Sequence, residues 1–213
     1  MNWLINLFWS SIGKKLIMAI TGLCFCSFLA IHLAGNLTLY GGSDLFSTYA
    51  EHLHQLGPLI TIVEWGLLLF AAIHVITGMT LFYQNQTARP VRYKRDKSAG
   101  GRTIGSATMP YTGVLLLFFI IIHLIEFHFA DKIDQTMYQI MLSTFSNPVK
   151  AASYISVMII AAFHISHGFW SAFQTLGANH PKYMPLIKGT STAFSLIVGI
   201  GFSSIPIYMF LIS

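Results

Sequence analysis

Five long apolar runs decide what this chain can become: Leu16 to Tyr40, Leu59 to Tyr83, Met109 to Phe129, Ala151 to Thr175, and Ser191 to Ile212. A helix needs about 20 mostly apolar residues to cross a bilayer. Backbone polar groups inside lipid must be satisfied within the segment itself, so each run is expected to be a helix. Only 9% of the residues are charged and 54% are hydrophobic, where a soluble domain carries about a quarter of its residues as charges. A soluble enzyme, a disordered regulator and a small disulfide-stapled domain are excluded. The fold class expected is all-α: an integral bundle of five transmembrane helices forming one domain over residues 1–213. The longest connection, Gln84 to Thr108, leaves no room for a separate soluble unit. No internal repeat is evident by inspection.

Finer features follow from the same pattern. The first run is too long for a cleaved signal peptide, and no small-residue cleavage site follows it. Pro58, Pro110 and Pro148 are expected at helix starts, where a missing N–H costs nothing. Pro206 falls inside the fifth run. Trp3, Leu4, Leu7 and Phe8 read as aromatic-belt anchors ahead of the first span. Cys24 and Cys26 sit in an apolar run on different helix faces and read as small packing residues. No C-x-x-C-H occurs, so covalent haem attachment is out.

Lysines and arginines set the orientation. Lys14, Lys15, Arg89, Arg92, Lys94, Arg95, Lys97, Arg102, Lys182 and Lys188 fall on one side of a five-helix layout, and only Lys132 and Lys150 on the other. The positive-inside rule puts the N-terminus in the cytoplasm and the C-terminus outside. These charges explain the net +5 without nucleic acid as a partner.

Nine histidines in so apolar a chain call for an explanation. Four of them, His32, His74, His123 and His164, lie inside four successive spans, where an ionisable side chain is costly and commonly functional. By helical rise, His32 lies roughly 12 Å and His123 roughly 9 Å short of the outer ends of their helices. His74 and His164 lie roughly 14 and 16 Å from the inner ends of theirs. The four therefore sort into an outer pair and an inner pair, each drawn from two helices. Two imidazoles suffice to hold a haem iron, because the macrocycle supplies the remaining nitrogens. A structural zinc would ask for four protein ligands close together. Gly35, Gly78 and Gly168 follow three of these histidines by three or four residues, on the same helix face, and would make room for a flat macrocycle; His123 has Phe127 there instead. The residues alone leave a second reading open, a haem-free transporter using His and Glu as proton relays. His167 shares a face with His164 and is expected to make a polar contact. His52, His54, His128 and His180 lie near loops, as surface residues or partners of haem propionates.

Three stretches are more specific: His32-Leu-Ala-Gly-Asn-Leu-Thr-Leu-Tyr40 leading to Phe46-Ser-Thr-Tyr-Ala50; Ala88-Arg-Pro-Val-Arg-Tyr93; and His164-Ile-Ser-His-Gly-Phe-Trp-Ser-Ala-Phe-Gln-Thr-Leu-Gly177, with Asn179 and Lys182-Tyr183 behind it. With them the chain resembles, over nearly its whole length, the cytochrome b membrane anchor of succinate:quinone oxidoreductases, the succinate dehydrogenase and fumarate reductase family. The likeness is to the class with one five-helix chain and two haems b. It implies that His32 and His123 are axial iron ligands of the distal haem, and His74 and His164 of the proximal one. It also implies a flavoprotein subunit and an iron–sulfur subunit as partners, for the chain has no Gly-rich nucleotide loop and no cluster-binding cysteines of its own. The dihaem anchors of hydrogenases and formate dehydrogenases would share the histidines but lack the stretches around Asn36 and Phe169.

The implied activity is electron transfer between succinate or fumarate and a quinone, expected to be menaquinone, in the bacterial cytoplasmic membrane, within a complex surrounded by lipid and capable of dimerising. Electrons from succinate would pass the inner haem, then the outer, to quinone near the outer face. Glu64, Glu126 and His54 are the candidate protonation residues there, with Glu51 in reserve; the alternative for the two glutamates is simple hydration at the interface. The basic loop with Lys14 and Lys15 is a candidate docking surface for the iron–sulfur partner. The glutamate that some quinol-oxidising fumarate reductases of the family carry two residues before the fourth-helix ligand is Ala162 here, which tilts the expectation modestly toward succinate oxidation.

Overall fold

The computed structural model describes residues 9–88, 103–131 and 134–213. The belt residues Trp3 to Phe8, the basic residues Arg89 to Arg102 with most of the Ala88–Tyr93 stretch, and Lys132 lie outside the described residues.

Every regular element described is helical. The chain runs through α1 (Ser11–Asn36), a 3-10 turn (Leu37–Gly41), α2 (Gly42–Gln55), α3 (Pro58–Thr87), α4 (Ile104–His123) with a π-turn (Leu124–His128), α5 (Met137–Phe145), α6 (Pro148–Thr175) and α7 (Met184–Ile212). Helices α1, α3, α4, α6 and α7 are the five spans, each long and apolar enough to cross a membrane. Four of them begin three to seven residues before the apolar runs do. For α1, α4 and α6 the reason is capping, which makes a polar first turn helical. Ser10 accepts from the Gly13 N–H at 3.0 Å. Thr103 and Ser106 form a reciprocal capping box, and Asn147 caps α6 by accepting from the N–H groups of Val149 and Lys150. Each arrangement satisfies donors that a helix start leaves orphaned. Pro58 and Pro148 stand at helix starts as expected, whereas the early start of α4 leaves Pro110 inside that helix.

Hydropathy did not reveal α2 and α5, which are too short and too polar to span. Gly42 (φ +86°) and Gly57 (φ +51°) make the turns on either side of α2, in a backbone region that side chains with a Cβ disfavour. Asp44 in its first turn suits the helix dipole. Phe46 of α2 and Ile140, Met141 and Phe145 of α5 join Leu33, Leu39, Phe127, Tyr154, Ile205 and Met209 in the largest buried cluster. The best-packed part of the molecule is thus one end of the bundle, the end expected to face outward.

Neighbour relations fix the arrangement of spans. Helix α1 packs on α3 and α6, α4 packs on α6 and more sparsely on α3, and α7 lies along α6 with a smaller contact to α1. The first four spans therefore form a ring in chain order, with α7 outside it. Diagonal partners, α1 with α4 and α3 with α6, share no extensive packing. Small residues let α7 approach: a Cβ added at Gly199 would meet the Ala162 Cβ at 2.8 Å, and one at Gly201 would meet the Leu33 side chain. Large apolar side chains such as Ile62, Trp65, Leu69, Phe118 and Ile200 face outward, the surface that lipid covers in a membrane bundle.

Candidate functional site

The four histidines lie on the two diagonals of the ring, and at two levels. On the α1–α4 diagonal, the His32 and His123 rings face each other with centroids 6.1 Å apart and planes at 86°. Aromatic side chains wall them in. Phe28 stacks on His32 at 5.1 Å, Phe119 on His123 at 5.7 Å, and Phe127 and Tyr154 flank His123 at 5.2 and 6.2 Å. The His123 Nδ1 is buried without a hydrogen-bond partner.

The α3–α6 diagonal carries His74 and His164. Each meets a threonine of the span before its own: His74 Nδ1 lies 2.9 Å from Thr21 Oγ1, and His164 Nδ1 lies 2.9 Å from Thr112 Oγ1. Glycines sit beside both rings, since a Cβ at Gly22 or Gly113 would stand 3.5 Å from the Cε1 of His74 or His164. Thr21 marks the level of the second pair on α1, and His32 lies eleven residues further along that helix. The two levels are therefore about 16 Å apart along the helix.

These contacts uncover an internal repeat that inspection of the sequence missed. Met18-x2-Thr21-Gly22-x5-Phe28-x3-His32 recurs, 91 positions on, as Met109-x2-Thr112-Gly113-x5-Phe119-x3-His123. Ala71-Ala72-x-His74-x3-Gly78 recurs 90 positions on as Ala161-Ala162-x-His164-x3-Gly168. Equivalent residues make equivalent contacts, down to Met18 against Gly78 and Met109 against Gly168. So α1–α3 and α4–α6 are two copies of one hairpin, and each diagonal pair is one residue and its repeat counterpart. The signal was present as a fixed offset between the histidines. Apolar residues of similar type dilute it everywhere else.

The geometry suits a metal held between two imidazoles. A metal–nitrogen bond of about 2.0–2.1 Å, plus about 1.1 Å from nitrogen to ring centre on each side, would put two ring centroids roughly 6.3 Å apart. The 6.1 Å of His32 and His123 matches it. Among the described residues no cluster of three or more His, Cys, Asp or Glu is placed to hold an ion; a porphyrin would ask the protein for only two axial donors. The glycine expectation needs one correction. The space beside Gly35 is filled by the Tyr49 ring of α2, so that glycine serves helix packing. Met18 and Met109 lie over Gly78 and Gly168, and a thioether chain is easily displaced.

His167 lies three residues after His164 on α6 but makes its own contacts. Its Nδ1 is 3.3 Å from Thr103 Oγ1 and its ring meets Trp170, while Gly105 allows α4 to pass close to it.

The candidate protonation residues do not gather into one cluster. Glu126 sits in the π-turn directly after His123, where Tyr154 donates to its Oε2 at 2.5 Å and Lys150 pairs with its Oε1 at 2.8 Å. Tyr154, which the sequence reading passed over, thus touches both His123 and Glu126. Glu64 is half-exposed, with His128 Nδ1 3.8 Å from its Oε1. The His54 Nδ1 bonds to the Ala50 carbonyl of its own helix. At the opposite end Lys14 is buried and donates to Gln84 Oε1 at 3.0 Å. It ties the start of α1 to the end of α3 and is not free for docking; Lys15 is exposed.

Comparison with known proteins bears on this arrangement. No curated protein and no solved structure matches the chain. A family model, the succinate dehydrogenase/fumarate reductase transmembrane subunit, matches residues 85–200, more than half of the 213 residues. The match contains the second copy of the repeat whole, with His123 and His164. An all-helical five-span bundle carrying that segment belongs to the family of succinate dehydrogenase/fumarate reductase transmembrane subunits.

Proposed function

We propose that this chain is the electron-transfer anchor of a succinate:quinone oxidoreductase that holds two haems b. His32 and His123 would ligate the distal haem at the outer end of the bundle, and His74 and His164 the proximal haem on the cytoplasmic side. One observation carries the proposal: His32 and His123, repeat-related histidines on diagonal helices, face each other at 6.1 Å. Haem, when bound, supplies reversible one-electron chemistry at each level. The residues of the chain orient the ligands, exclude water with aromatic walls, and handle protons at the outer end.

The partners are the iron–sulfur and flavoprotein subunits of the same complex, on the cytoplasmic side, and the lipid-soluble partner is a quinone, taken to be menaquinone. Glu64 and Glu126 stand beside the outer level and are the groups to exchange protons with quinone there, Glu64 being the more accessible of the two. The direction favoured is succinate oxidation. Ala162, in place of a membrane-buried glutamate, faces Gly199 across the α6–α7 seam, so that position offers no carboxyl group to a proton path along α6.

The test is a dithionite-reduced-minus-oxidised spectrum with pyridine-haemochrome quantitation on the purified complex. Two haems b per chain is the expected result. One haem would mean that one pair is misassigned, and a colourless folded protein would return the chain to the proton-relay reading.

A further inference from the structure

We propose that Thr21 and Thr112 are the positioning residues of the inner haem site: each accepts the Nδ1–H of one ligand histidine and so leaves its Nε2 as a bare lone pair that would be available to iron. The inference rests on the dihaem reading above and goes beyond it, because it assigns residues that do not touch the cofactor.

The other bonds of the two hydroxyls favour one direction of donation. The Thr21 hydroxyl donates to the Ile17 carbonyl at 2.7 Å, and the Thr112 hydroxyl to the Thr108 and Met109 carbonyls at 3.1 Å. With its single proton committed, each oxygen meets the imidazole 2.9 Å away as an acceptor. A neutral imidazole has one N–H. Giving it to the threonine from Nδ1 selects the tautomer in which Nε2 can bind iron, and makes that nitrogen a stronger donor to the metal.

The outer pair is built differently. His123 Nδ1 has no partner, and His32 Nδ1 lies 3.4 Å from the Asn36 amide, which donates to the His32 carbonyl at 2.8 Å. Stacked phenylalanines at repeat-equivalent positions hold those rings instead. One ligand type thus stands in two environments, hydroxyl-bonded at one level and stacked at the other. The repeat supplies independent support. The two threonines lie on different helices, 91 positions apart, yet make the same bond to the two histidines of one site.

The experiment is a potentiometric titration of the haem absorbance in the purified complex, in wild type and in Thr21→Val, Thr112→Val, Thr21→Ser and Thr112→Ser. Valine keeps the shape and removes the acceptor, while serine keeps the hydroxyl. A weaker donor favours ferrous iron, so each valine variant should shift the reduction equilibrium of one haem about tenfold toward reduction, which is 59 mV for a one-electron couple. Both valine variants should move the same wave and leave the other in place, with both serine variants at the wild-type position. Valine variants that lose one haem, with serine restoring it, would support the same assignment. Waves that stay in place, waves that both move, different waves moved by the two threonines, or haem loss that serine does not rescue would each overturn it. A wild-type complex without two waves would instead sink the dihaem reading itself.

Discussion

His32 and His123 are 91 positions apart in the chain, and their rings meet at 6.1 Å from diagonal helices that share no extensive packing. A pair placed this way acts as a unit. His32→Ala and His123→Ala are each expected to lower the haem content from two per chain to one, and the double variant to lower it no further. His74→Ala and His164→Ala should remove the other haem. His167→Ala, whose ring contacts Thr103 and Trp170, should keep both. Pyridine-haemochrome quantitation against protein concentration checks all of these.

Tyr154 and Lys150 hold Glu126 from two sides, whereas Glu64 is half-exposed near His128. The two carboxylates should therefore respond differently to neutralisation. Glu64→Gln is expected to slow quinone turnover at least tenfold with thermal stability unchanged. Glu126→Gln should slow turnover and also lower stability. Tyr154→Phe, which removes one hydrogen bond to a charged group, should cost about 1.5–3 kcal/mol. Unaltered quinone turnover in both glutamine variants would end the proton assignment.

The α6–α7 seam depends on close approach. Gly199→Ala would set a methyl group 2.8 Å from the Ala162 Cβ, an overpacking worth about 1–3 kcal/mol. Gly66→Ala, where nothing lies within 4 Å, should be neutral or stabilising by up to about 1 kcal/mol. Ser191 is fully buried and donates to the Ser166 carbonyl at 2.6 Å, so Ser191→Ala should cost about 1 kcal/mol. Thermal unfolding of the detergent-solubilised complex separates the three.

Under the dihaem reading proposed above, two histidine levels about 16 Å apart along the helix would make electron flow to an outer quinone an electrical process. Moving a charge across the membrane involves about 2.3 kcal/mol per 100 mV. Collapsing the membrane potential with an uncoupler should change succinate:quinone turnover of the complex in vesicles while leaving the detergent-solubilised complex unaffected. Indifference in vesicles would place the quinone on the cytoplasmic side.

The spans, the four intramembrane histidines and their sorting into two levels were all legible in the sequence. Length and apolarity are one-dimensional properties, and helical rise converts residue number directly into depth. The helix starts were less legible, because Ser10, Thr103 and Asn147 cap first turns that hydropathy assigns to loops. Helices α2 and α5 were missed because a short helix packed on the end of a bundle needs only a few apolar residues, among them Phe46 and Phe145. The ring order of the spans, the place of α7 outside it, and the partners Thr21, Thr112 and Tyr154 required the tertiary structure. A threonine within a span looks the same in sequence whether it bonds only to its own helix or also to a histidine of the next. That difference lies in the distance between helices, which no local pattern encodes.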